Sequence, residues 1–123
     1  GLGYTFHNLE LLVHKLGPGP VADLFYSARI LDAGEAERAG VLNAVLPVED
    51  FGAQAQAYVG RIAGNAPLTL RAVKRALVEL MRGEAERDAG AVDALVAACF
   101  RSDDYKEGQA AFKEKRDPVF KGR

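Results

Sequence analysis

The sequence predicts a mainly α fold of about six helices with one short strand. Three observations carry this. Apolar residues recur at three- and four-residue intervals along most of the chain, the period of a one-sided helix. Glycines, prolines and short polar residues punctuate those periodic stretches where caps and stops belong. Only residues 41–46 (Val-Leu-Asn-Ala-Val-Leu) are short, branched and apolar in the manner of a strand. The 123 residues, 49% hydrophobic and 27% charged, suit a single helical domain, 1–123, long enough to bury a core.

Residues 1–4 read as loop. A first helix follows from Thr5, with Phe6, Leu9, Leu12, Val13 and Leu16 on one side and Gly17 placed to stop it. Pro18-Gly19-Pro20 breaks the chain, and Pro20 suits the first turn of a short helix that gathers Val21, Leu24 and Phe25. Asp32 is placed to cap a third short helix that Gly40 ends. The strand candidate 41–46 has no partner strand in the chain, and an unpaired strand edge invites another chain. After Pro47, residues 48–64 form a longer helix striped by Phe51, Ala55, Tyr58 and Ile62. Asn65-Ala66-Pro67 interrupts it. Residues 68–82 resume with Leu70, Val73, Leu77, Leu80 and Met81 on the side expected to be buried, over about 22 Å of helix. Gly83 follows, and residues 84–101 turn Val92, Leu95, Val96, Cys99 and Phe100 inward. The last helix spans about 103–116, with Ser102, Asp103 and Asp104 at its start.

The bulk properties exclude several function classes. A formal net charge of −1 gives no overall field for nucleic acid or an anionic membrane. No apolar run approaches the ~20 residues that span a bilayer. Cys99 is the only cysteine, so no internal disulfide forms. In the run Ala97-Ala98-Cys99-Phe100 it reads as a small buried hydrophobe, and a reducing, cytoplasmic setting is expected. The chain opens on Gly1-Leu2-Gly3 and Met81 is its only methionine, so it is expected to be a piece of a longer protein.

Most chemistry-bearing residues have a plain structural reading. His7 and His14 lie two helical turns apart, about 10 Å along the axis, too far to share an ion. Nothing nearby completes a ligand set, and no metal is expected. Neither Ser27 nor Ser102 sits in a nucleophile elbow, and Gly1-Leu2-Gly3 lacks the lysine and hydroxyl of a phosphate loop. Arg71, Lys74, Arg75 and Arg82 share a helix side. They would serve either a stand-alone protein-interaction or nucleic-acid-binding module, or a solvated face. Balanced charge and the absence of interleaved aromatics favour the solvated face. The carboxylates of residues 84–88 and Asp93 lie in a polar stretch, not in the low-dielectric pocket that acid–base work needs. The tail from Ala111 to Arg123 holds five cations and two anions. On a continuous helix Phe112 and Lys115 are neighbours, and an aromatic face beside a cation can stack a purine and hold a phosphate. Spacing alone favours a solvated basic turn with Phe112 in the core.

The chain resembles the C-terminal part of the enoyl-CoA hydratase/isomerase (crotonase) family across its whole length. The resemblance rests on Ser27-Ala28-Arg29, then residues 33–47 (Ala-Gly-Glu-Ala-Glu-Arg-Ala-Gly-Val-Leu-Asn-Ala-Val-Leu-Pro), then Asn65-Ala66-Pro67-Leu68-Thr69. It closes with Ser102-Asp103-Asp104, Glu107-Gly108, Ala111-Phe112, Glu114-Lys115-Arg116 and Pro118-Val119-Phe120. It implies a helical C-terminal region of a crotonase-like fold, residues 1–47 adjoining a spiral core that precedes them and residues 48–123 serving oligomerisation and the CoA pocket. It implies an acyl-CoA substrate, no bound cofactor beyond the coenzyme A of that thioester, and a stabilised thioester enolate as the route to hydration or isomerisation, typical of fatty-acid lyases and isomerases. It implies a homo-oligomer, trimer or hexamer. The family's catalytic acids and oxyanion amides fall before Gly1, so no catalytic residue is expected in these residues, although residues 1–6 would line one edge of the site. Phe112 and Lys115 match the family residues that approach the adenine end of CoA, often from a neighbouring subunit. Val96 stands where some members carry an aromatic.

Overall fold

The computed structural model describes residues 1–123 as seven α-helices and one 3-10 turn, with no strand. The helices are α1 (Phe6–Leu16), α2 (Pro18–Ser27), α3 (Ala33–Arg38), α4 (Val48–Ala63), α5 (Pro67–Leu80), α6 (Ala89–Arg101) and α7 (Asp103–Glu114). They fall into two compact units, Gly1–Phe51 and Gly52–Arg123.

In the first unit Asp32 caps and Gly17 stops a helix as expected, and Thr5 proves to be a cap as well. Thr5 accepts from the Asn8 amide at 3.3 Å, and Gly17 ends α1 at φ 83° with its amide donating to Val13. A side chain at that φ would be strained, which explains why glycine stands there. α1 packs on α2, where Tyr4 meets Phe25 edge-on at 4.6 Å and Val21 is buried. Asp32 and Glu35 form a reciprocal capping box on α3, with bonds of 2.7 and 3.0 Å. The strand candidate 41–46 is a bend followed by irregular chain. Its backbone groups are taken up locally: the Val41 and Leu42 amides donate to the Ala36 carbonyl at 2.8 and 3.2 Å, and the Val45 amide donates to the Glu37 carboxylate at 2.9 Å. Branched apolar residues favour a ladder, but α3 claims the Val41, Leu42 and Val45 amides that a ladder would need.

In the second unit α5 packs on α6 and α6 on α7. Residues 84–101 are not one helix: a 3-10 turn (Glu84–Glu86) precedes α6, which Asp88 caps through the Ala91 amide at 2.9 Å. The larger correction concerns α5. The stripe expected to be buried is open, with Leu77 59% and Leu80 60% exposed, and Leu70, Val73 and Met81 exposed as well. The side that α5 does bury carries Ala72 and Glu79. Phe51, Tyr58 and Ile62 of α4 are also exposed, as are Val96 and Phe100 of α6. Only three hydrophobic residues in the whole chain, Val21, Ala72 and Ala111, are buried. Periodicity located the apolar faces correctly; the surfaces that would cover them are not supplied within these residues.

Candidate functional site

Glu79 shows how the second unit treats its charges. It is 3% exposed, and its carboxylate meets Arg75 at 2.8 Å and Arg82 at 3.3 Å while accepting from the Asp88 amide at 2.9 Å. Two of the four cations read as a possible nucleic-acid face are therefore committed to an internal carboxylate. Arg75 also reaches Asp88 at 3.5 Å.

The densest polar constellation joins α7 to the tail that follows it. Ser102 caps α7, accepting from the Tyr105 amide at 3.0 Å and donating to the Cys99 carbonyl at 2.6 Å. Asp104, 4% exposed, accepts from the amides of Lys121 and Gly122 at 2.6 and 2.8 Å. The Arg123 carbonyl accepts from the amides of Asp103 and Asp104, filling donors that the start of a helix leaves open. One turn on, Glu107 takes the Arg116 guanidinium as a two-point fork at 2.5 and 3.0 Å and accepts from the Val119 amide at 2.9 Å. The Arg116 fork foremost, and then the Val119 amide, hold the pKa of the Glu107 carboxyl down to about 2. Arg116 also grips Glu114 at 2.6 Å. The tail thus runs back along α7 from its C-terminal end to its N-terminal end, with Phe120 over Gly108.

Both residues predicted to meet CoA lie where this tail begins. Phe112 is 86% exposed, not in a core, and it borders a groove of about 360 Å³ together with Leu68, Cys99, Tyr105, Gly108 and Phe120. Cys99 is half-buried there. Lys115 departs from the sequence expectation. The helix ends at Glu114, not at Arg116, and Lys115 sits in the left-handed region at φ 54°, ψ 41°. The Arg116 amide donates to Ala111 at 3.1 Å and the Lys115 amide to Phe112 at 3.4 Å, a Schellman closure with lysine in the position glycine usually takes. A residue with a Cβ costs on the order of 1–2 kcal/mol in that conformation. Lys115 is therefore not a helical neighbour of Phe112 three places on; the chain has turned between them. Sequence reasoning missed Asp104, Glu107 and Arg116 as a set, because their partners lie 9 to 18 residues apart and follow no helical spacing.

The first unit offers a second cavity, of about 590 Å³, bordered by Leu2, Tyr4, Leu12, Leu24, Phe25 and Arg29. Arg29 is held by Asp23 at 2.8 Å and Glu35 at 2.9 Å, which raise its pKa. Gly1, Leu2 and Tyr4, from the segment expected to border an active site, line part of this cavity.

The whole of residues 1–123 matches the enoyl-CoA hydratase/isomerase family. The chain belongs to that family. It is 34% identical to a crotonyl-CoA hydratase from Syntrophomonas wolfei across 98% of its own length and 47% of that protein. It is 31% identical to methylmalonyl-CoA decarboxylase from Escherichia coli across 99% of its length and 48% of that protein. Among solved structures it superposes with a TM-score of 0.81 and 30% identity on an enoyl-CoA hydratase/isomerase family protein from Hyphomonas neptunium, over 100% of this chain and 47% of that one. The chain spans about half the length of the curated relatives it matches. As the helical, C-terminal part of a crotonase-type fold it is as expected. No helix in it is long and apolar enough to cross a membrane.

Proposed function

We propose that residues 1–123 act as the C-terminal portion of an acyl-CoA hydratase/isomerase-like enzyme. On this reading the parent protein works through a stabilised thioester enolate, with its acids and oxyanion amides outside these residues. Residues 1–123 alone are inactive. Their own work is to hold subunits together, as a trimer or hexamer, and to close the CoA pocket, with Phe112 and Lys115 at the adenine end. The enzyme is cytoplasmic and needs no bound cofactor beyond its acyl-CoA substrate. The observation that carries the reading is the combination of a family match over every residue with apolar faces on α4, α5 and α6 that the chain leaves open. The relatives it matches include both a hydratase and a decarboxylase, so the shared element is the acyl-CoA thioester rather than one reaction.

The test combines assembly and activity. Residues 1–123, studied by light scattering, are expected to associate, and Leu77→Asp to disperse them. Hydration of crotonyl-CoA is expected from the full-length protein and not from residues 1–123. A well-behaved monomer with Leu77 and Leu80 left in water, or turnover by these residues alone, would overturn the proposal. The rival, a stand-alone nucleic-acid-binding module on Arg71 and Lys74, would then have to show salt-sensitive binding without Arg75 and Arg82, both of which Glu79 engages.

A further inference from the structure

The same helix closure occurs twice in this chain. α3 ends with the Val41 amide donating to Ala36 and the Gly40 amide to Glu37, with Gly40 at φ 76°. α7 ends with the equivalent pair of bonds and a lysine at φ 54°. Glycine is the residue that closure favours, so lysine at position 115 is there against the backbone's preference. Backbone strain of this kind persists where surrounding contacts impose it. Here they do so on both sides: Glu114 and Arg116 grip one another, Arg116 is forked onto Glu107, and Glu107 and Asp104 fasten the chain beyond.

We propose that Glu107, Arg116 and Asp104 are positioning residues that hold Lys115 in its left-handed conformation, so that its ammonium is presented to the phosphate at the adenine end of CoA. The inference rests on the reading of Lys115 as a CoA contact and adds a device to it: a clasp between α7 and the returning tail that sets where the cation stands. The clasp touches no reacting atom. It acts on affinity for the phosphorylated end of the substrate and leaves the chemical step alone.

The experiment compares binding of CoA and of 3′-dephospho-CoA by the full-length protein, using a double-mutant cycle between positions 107 and 115. Lys115→Gly is expected to raise the melting temperature, because it relieves the left-handed strain, and to weaken CoA roughly tenfold, the loss of one charge-assisted contact. Binding of 3′-dephospho-CoA should change little. Glu107→Gln is expected to weaken CoA severalfold when Lys115 is present and to have no further effect in the Lys115→Gly background. Arg116→Lys, which keeps the charge and removes the fork, provides the same comparison if Glu107→Gln folds poorly. If Lys115→Gly leaves CoA affinity unchanged, the reading of Lys115 fails and the inference falls with it. If Lys115→Gly weakens CoA while Glu107→Gln and Arg116→Lys do not, the contact stands and the clasp is overturned. Equal losses for CoA and 3′-dephospho-CoA, or additive effects in the cycle, would also overturn it, because a general loosening of α7 produces those and a positioning role does not.

Discussion

The ends of α3 and α7 use one hydrogen-bond pattern with opposite side-chain logic. At Gly40 the closure is self-sufficient: glycine reaches φ 76° freely, and no other atom lies near enough to crowd the turn. At Lys115 the closure is held from outside by an arginine fork, two carboxylates and a returning tail. A helix stop can therefore be a local property of one residue or a property of a network. It also separates two ways in which this chain reaches order. Its buried polar groups, Glu79, Ser102 and Asp104, find partners within the chain, while most of its large apolar side chains stay exposed.

The network at the end of α7 depends most on Asp104. Asp104→Ala removes the acceptor for two backbone amides and leaves both to find water. The expected loss is about 2–3 kcal/mol of unfolding free energy, since bonds to a buried charged group are among the costly ones to lose. Urea denaturation measures it, and Asp104→Asn, which retains one acceptor, should lose less. A change indistinguishable from zero for Asp104→Ala would mean that the tail does not secure the α7 end. A smaller effect is expected at the other closure. Gly40→Ala meets open space, so its effect is conformational alone, a loss of about 1–2 kcal/mol. Thermal unfolding reports it directly, and if Gly40→Ala is tolerated without loss, the contrast between the two helix ends is not one of backbone strain.

The sequence announced those features whose causes lie within four residues. Asp32 and Ser102 read as caps because a cap bonds an amide three positions on, and Gly17 and Gly40 read as stops because the residue itself supplies the conformation. The apolar stripes of α4 and α5 were legible as faces. That these faces are left open was not, because periodicity records which side is apolar and says nothing of what covers it. The strand expected at 41–46 is a bend: branched side chains favour a ladder, and the Ala36 carbonyl and Glu37 carboxylate instead take the amides of Val41, Leu42 and Val45. Of the candidate site, Phe112 and Lys115 came from family resemblance. Their surroundings came only from three dimensions, since Glu107 meets Arg116 nine residues on and Asp104 meets Gly122 eighteen residues on. Lysine is also a poor signal for a left-handed residue, so the periodic pattern runs on through it to Arg116.

The Glu107–Arg116 fork makes a smaller contribution, and it depends on pH. Glu107 titrates at about 2 in the folded chain, against 4.5 for the unperturbed group, because the Arg116 fork and the Val119 amide favour its charged form. A carboxyl lowered on folding contributes stability that is fully present above its unfolded value. That contribution is lost as pH falls from about 4.5 through about 2, while protonation releases the fork. Glu107→Gln should therefore flatten this part of the acid limb in a plot of urea midpoint against pH, and should leave the profile above it parallel to that of the wild type. The pair faces solvent, so added salt should shrink the difference between the two curves. An acid limb identical in both proteins would remove Glu107 from the set of groups that hold α7 closed. The burden would then fall on Asp104, whose amide partners lie beyond Val119 and whose grip on Lys115 is correspondingly indirect.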